Sequence, residues 1–116
     1  MNQDFGKIIR QARKDRGLSQ RELANRLGLD FTYLSKLENN RADYAPKEEV
    51  IRVLARELQL NEEELIFLAG RIPQQNEDFL KQNYKEMPTL FRRMQENPDF
   101  ARKVFESALN SDLQED

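Results

Sequence analysis

Residues 17–41, GLSQRELANRLGLDFTYLSKLENNR, decide the fold. Ser19 is a good N-cap and Glu22 stands three residues later, the spacing of a capping box. Leu18 before the cap and Leu23 after it have the spacing of a hydrophobic staple. Leu23, Ala24 and Leu27 then recur on one side of a helix. Gly28 stops that helix, because a residue without a Cβ enters the left-handed region freely. Asp30 caps a second helix two residues later. There Leu34 and Leu37 point inward, three apart, and Thr32, Tyr33 and Lys36 fall on the outer face. That face offers a hydroxyl, a phenol and an ammonium on a leucine-backed helix, a combination that fits the major groove of DNA. A solvated polar face has the same pattern, so these three residues alone leave both readings open.

The wider stretch is more specific. Its LSQ-x-ELA run at 18–24, Gly28 at the turn and the YLSKLEN run at 33–39 resemble the helix-turn-helix of phage-repressor-like (Cro/C1, XRE-type) transcriptional regulators. The resemblance covers roughly residues 5–70. It implies an all-α fold: a five-helix lambda-repressor-like helix-turn-helix domain over 1–70, then a short helical C-terminal segment over 71–116. It also implies that helix 30–39 reads bases, with Phe31, Thr32, Tyr33 and Lys36 as the candidates. Lys36 suits guanine acceptors, and Phe31 stands where the family usually carries a polar group. Phe31 either meets a thymine methyl or tucks against the preceding helix. Phosphate contacts fall to Arg10, Ser19, Gln20, Asn39 and Arg41, with Ser19 a cap first and Gln20 also bracing the reading helix. In the resembling family the residue at Arg13 pairs with the one at Glu38, which implies a structural ion pair. Two positions depart from the family. Asn40 replaces the usual Gly, which Asn tolerates better than other residues, and Asp43 stands where a base is common.

At 116 residues the chain is one compact domain, or one with a short appendage. It has no Cys and no His, which removes thiol nucleophiles, triads, disulfides and the usual zinc ligands. No Gly-rich phosphate loop is present. Neither a membrane-length apolar run nor a signal peptide is visible, so a cytoplasmic protein without cofactor or metal is expected. The net charge of −2 conceals an uneven distribution. Residues 1–45 hold nine Lys/Arg against six Asp/Glu, whereas 46–70 hold three against six and 71–116 seven against nine. A basic region suits phosphate, because charge more than about 10 Å away is largely screened at moderate salt.

Residues 4–16 read as the first helix, with Phe5, Ile8, Ile9 and Ala12 as its apolar stripe. Pro46 suits the first position of a fourth helix, whose apolar face is Val50, Ile51, Val53, Leu54 and Leu58. Asn61 caps a fifth helix ending at Gly70. Glu62-Glu63-Glu64 reads as a favourable helix start, not a metal site. RIPQQ, residues 71–75, is linker-like. Residues 76–112 are helical again in pieces. Asn76 caps the first, Pro88 opens the second, and Asn97-Pro98-Asp99 starts the last.

The C-terminal pieces carry Phe79, Leu90, Phe91, Met94, Phe100, Val104, Phe105 and Leu109. So short a segment cannot bury them alone. Packing on the first domain, self-association, or binding of an antagonist protein or protease would each cover them. The resulting expectation is a sequence-specific regulator of double-stranded DNA, a repressor acting as a homodimer. The alternative is a protein-interaction module, an antitoxin or adaptor, that uses the same fold and binds its partner through the C-terminal helices. An enzyme is not expected.

Overall fold

The computed structural model describes residues 3–114, and side chains within 4–110. Among these residues the chain is helical throughout, with no strand. Its contacts divide it into two units, 1–76 and 77–116.

The first unit holds α1 (Gln3–Asp15), α2 (Gln20–Leu27), α3 (Phe31–Glu38), α4 (Glu48–Leu58), α5 (Glu62–Leu68) and a 3-10 turn (Gln74–Asn76). Its core is Phe5 and Ile9 of α1, Leu18, Leu23 and Ala24 around α2, Leu34 and Leu37 of α3, Ile51, Leu54, Ala55 and Leu58 of α4, and Leu65, Ile66 and Ala69 around α5. Each fully buried Leu, Ile or Phe contributes about 1.5–3 kcal/mol. An exposed ion pair contributes about 0–1 kcal/mol. The leucines therefore settle which way each helix faces, and the surface charges follow.

The caps form as their residues dictate. Ser19 Oγ accepts from the Glu22 amide, and Glu22 Oε1 accepts from the Ser19 amide, both at 3.1 Å. Gly28 closes α2 at φ 66°. Asp30 and Asn61 accept from the amides three residues on. Asn40 takes φ 56°, the left-handed conformation in which it stands in for Gly.

Four local expectations are corrected. α4 starts at Glu48, with Lys47 as N-cap, because Pro46 is buried and its carbonyl is engaged by Arg71. α5 ends at Leu68, and Gly70 follows it at φ 83°. Ile8 is 41% exposed and lines a shallow groove with Leu60, Leu65 and Leu68 rather than entering the core. Residues 71–75 are not loose. Pro73 is buried, the Gln74 amide donates to Glu48 Oε1 at 2.8 Å, and Arg52 donates to Gln75.

Gly6 has a role its spacing did not announce. A Cβ there would lie 2.6 Å from the Glu38 carbonyl oxygen and 2.8 Å from that of Leu37. Its absence lets α1 press directly on the end of α3.

The second unit holds α6 (Glu77–Gln82), α7 (Met87–Glu96) and α8 (Pro98–Gln114), with α7 against α8. Pro88 lies in the first turn of α7, and Asn97 Oδ1 caps α8 by accepting from the Phe100 amide at 3.1 Å. Arg93 stacks over Phe100 at 4.4 Å. No described side chain from 77 to 110 is fully buried.

Candidate nucleic-acid interface

α3 is displayed because its inner row leaves no other choice. Leu34 and Leu37 are fully buried, which turns Thr32, Lys36 and Asn39 outward into solvent. Together with Phe31, Ser35 and Arg41 these residues line one shallow groove along the helix. The side chains of Thr32, Lys36 and Arg41 have no hydrogen-bond or ionic partner among the described residues. They are available to a ligand without breaking an internal contact.

Tyr33 and Phe31 are placed differently from the simplest reading. Both are half-buried and pack on the edge of the core. Burial raises the Tyr33 phenol pKa, against the lowering charge of Arg71. Phe31 lies under the Arg21 guanidinium of α2, 4.3 Å from ring centroid to cation. It thus tucks against α2 while its outer edge stays on the groove.

The end of α3 is locked by one buried carboxylate. The Glu38 side chain is inaccessible to solvent. Its Oε2 accepts from Arg13 Nε at 2.8 Å and its Oε1 from Arg13 Nη2 at 3.0 Å, a bidentate pair. Gln20 Nε2 donates to the same Oε1 at 3.0 Å. Arg13 Nη1 also donates to the Leu18 carbonyl at 2.7 Å, just before the α2 cap. One carboxylate thereby ties α1, the start of α2 and the end of α3 together.

The phosphate candidates fall into two groups. Arg41 is exposed and uncommitted. Ser19 accepts from the Glu22 amide and its hydroxyl also acts on the Glu22 carboxylate, so it is a cap first. Gln20, Arg10 and Asn39 are already in use. Gln20 braces Glu38. Arg10 Nη2 donates to Asn39 Oδ1 at 3.0 Å and its Nε lies 3.7 Å from Glu38 Oε1. Asn39 Nδ2 donates to the Ser35 carbonyl at 2.8 Å. Arg10 keeps 44% side-chain exposure, enough to meet a phosphate from where it stands.

No cluster of three or more potential metal ligands occurs among the described residues. No described helix is long and apolar enough to cross a membrane. The C-terminal candidates stand apart from this surface in sequence. Phe79, Phe91, Phe105 and Leu109 are exposed, and Leu90, Met94, Phe100 and Val104 are half-buried. Two contributors escaped the sequence reading. Gly6 sets the α1–α3 approach, and Arg71 binds the loop after α3. A lone Gly inside an otherwise helical run was the available signal for the first. Arg71 had none.

Comparison with known proteins agrees with this geometry. No curated protein and no solved structure matches the chain significantly. A family model described as helix-turn-helix matches residues 9–65, which run from the core of α1 to α5. That match supports reading the segment as a helix-turn-helix like that of phage-repressor-like (Cro/C1, XRE-type) DNA-binding regulators.

Proposed function

We propose that the chain is a sequence-specific transcriptional repressor, active in the cytoplasm as a dimer, that reads the major groove of double-stranded DNA with α3. The observation that carries this reading is the free outer row of α3: Thr32 and Lys36 uncommitted, backed by fully buried Leu34 and Leu37. In the proposed complex Lys36 donates to guanine acceptors and Thr32 hydrogen-bonds a neighbouring base edge. Phe31 offers its outer edge to a thymine methyl, and Tyr33 reaches the groove only with its phenol. Arg41 and Ser19 contact phosphate directly. Arg10, Gln20 and Asn39 hold α2 and α3 at the correct spacing and meet phosphate through donors left over from their internal bonds. Arg13 and Glu38 are structural.

The exposed apolar side chains of 77–110 support self-association through the second unit. Capture of an antagonist protein or protease is the second reading of those same side chains.

Selection of bound fragments from a random DNA pool, with a mass measurement in solution, tests the proposal. A recovered motif with two inverted half-sites and a mass of two chains is expected. Retention of no fragment would leave the fold serving as an interaction module instead.

A further inference from the structure

The loop from Asn39 to Lys47 runs beside the reading helix and carries Arg41, Tyr44 and Lys47. Tyr44 is 84% exposed. The Asn39, Asn40 and Arg41 amides still bond back to α3 carbonyls. From Ala42 to Lys47 no backbone amide has a backbone partner among the described residues. The conformation of that part is therefore set from outside the loop.

The outside support is Arg71. Its Nη2 donates to the Ala45 carbonyl at 3.1 Å and its Nε to the Pro46 carbonyl. One planar fork thus holds two successive carbonyls, a geometry that a lysine ammonium does not reproduce. The strap carrying Arg71 is itself fastened, by buried Pro73 and by the Gln74–Glu48 and Arg52–Gln75 hydrogen bonds. Arg71 is also close enough to Tyr33 of α3 for its charge to act on the phenol. Tyr33, Lys36, Asp43, Tyr44 and Lys47 line one concavity of about 300 Å³ between α3 and the loop.

We infer that Arg71, which lies outside the matched helix-turn-helix segment, is a positioning residue for DNA recognition: it pins Ala45 and Pro46 so that Tyr44 and Lys47 stand beside Lys36 against the sugar-phosphate rail. The inference rests on the DNA-reading role proposed for α3. Arg71 acts through the loop: two of its five N–H donors hold the carbonyls, and the salt slope separates that role from a direct phosphate contact by its remaining donors.

The test uses the full chain and the fragment it recovers from the random pool, with Arg71→Ala and Arg71→Lys compared with wild type. Arg71→Ala is expected to weaken binding about tenfold, the scale of re-ordering one or two backbone residues on docking. The dependence of affinity on salt should keep its slope. Without DNA, trypsin should cut faster after Arg41 and Lys47. Arg71→Lys should recover part of both effects, having one donor group where two carbonyls are held. A slope reduced by about 0.9 would make Arg71 a direct phosphate contact and overturn the positioning role. Unchanged cleavage rates, or faster cleavage with unchanged affinity, would overturn it equally. If Arg71→Ala does not fold by circular dichroism, Arg71→Lys carries the same comparisons. Wild type that retains no fragment sinks the DNA reading, and this inference with it. Wild type that binds while both variants match it sinks the positioning role alone.

Discussion

Lys36 and Arg41 are both uncommitted cations near α3, yet replacing them should have different consequences. Lys36 stands on the outer row of α3, which we propose faces base edges, and Arg41 just past the helix, where we propose it meets phosphate. Lys36→Ala should cost about 1–3 kcal/mol at the preferred site if its contact is bidentate, and flatten base preference at one position. Arg41→Ala should weaken all sequences alike and lower the salt slope by about one. Competition titrations with single-base variants separate the two, and a Lys36→Ala protein with unaltered preference would move the reading face elsewhere. Glu38 shows how a buried residue can set the placement of exposed ones. Glu38→Ala strands the Arg13 guanidinium, whose side chain is only 9% exposed, and breaks the Gln20 brace. Losing one partner of a buried pair costs about 3–5 kcal/mol, against a net stability of about 5–15 kcal/mol for a domain. Urea unfolding should therefore shift sharply. The double change Arg13→Met with Glu38→Leu should recover much of the loss, because no buried charge remains unpaired. Gly6→Ala belongs to the same scale. The added methyl would meet backbone carbonyls 2.6 and 2.8 Å away, so α1 must retreat from α3 at a cost of about 1–3 kcal/mol, visible as a lower Tm.

Beside the apolar core, carboxylates fasten helix starts and the strap after α5, and those fastenings are acid-sensitive. The Glu22 pKa is lowered by the Ser19 amide and hydroxyl, and that of Glu48 by the Gln74 amide with Arg52. Glu62 is lowered by Arg56 and Arg52, which bridge α4 to the first turn of α5. All three carboxyls are more acidic folded than unfolded, so the unfolded chain binds protons more readily. Their contribution is whole above the ordinary carboxyl value of 4.5 and disappears as pH falls through the lower folded values. Thermal melts should therefore lose Tm from about pH 5 downward. Replacing Glu22, Glu48 and Glu62 by Gln together should flatten that acid limb while leaving the helix content intact. The elements themselves were largely legible in the letters, because Ser19 with Glu22, Asp30, Asn61 and Asn97 cap locally, within three residues. What was not legible depended on distant partners. α4 starts late because Arg71, 25 residues beyond Pro46, takes the Pro46 carbonyl. Residues 71–75 look like a linker until Glu48 and Arg52 are seen to hold them. The outer row of α3 could be listed from spacing, but the half-burial of Phe31 and Tyr33 required knowing that Arg21 and the core edge receive them.

For the molecule as a whole, the decisive question is how few base pairs one displayed helix can read. An eight-residue helix meets only a short stretch of groove, and each correct base pair is worth about 1–3 kcal/mol. A lone copy therefore gains too little to stand out among the many competing sites of a genome. Two copies on a two-fold axis read inverted half-sites about 34–36 Å apart and add their contacts. Phe79, Phe91, Phe105 and Leu109, between 45% and 64% exposed, are the surface on which we place that pairing. Replacing Phe91 and Phe105 by Glu should convert a two-chain mass in sedimentation to one chain, because a charged pair cannot be buried there unpaired. The same protein should bind an isolated half-site as wild type does, since α3 is untouched. On the paired site it should lose about 10²- to 10⁴-fold, the part of the affinity that linkage supplies. Inserting about five base pairs between the half-sites, half a turn of duplex, should impose a comparable loss on wild type and almost none on the variant. If the variant stays two chains in mass, the apolar face of the second unit serves another protein, and the pairing surface lies elsewhere.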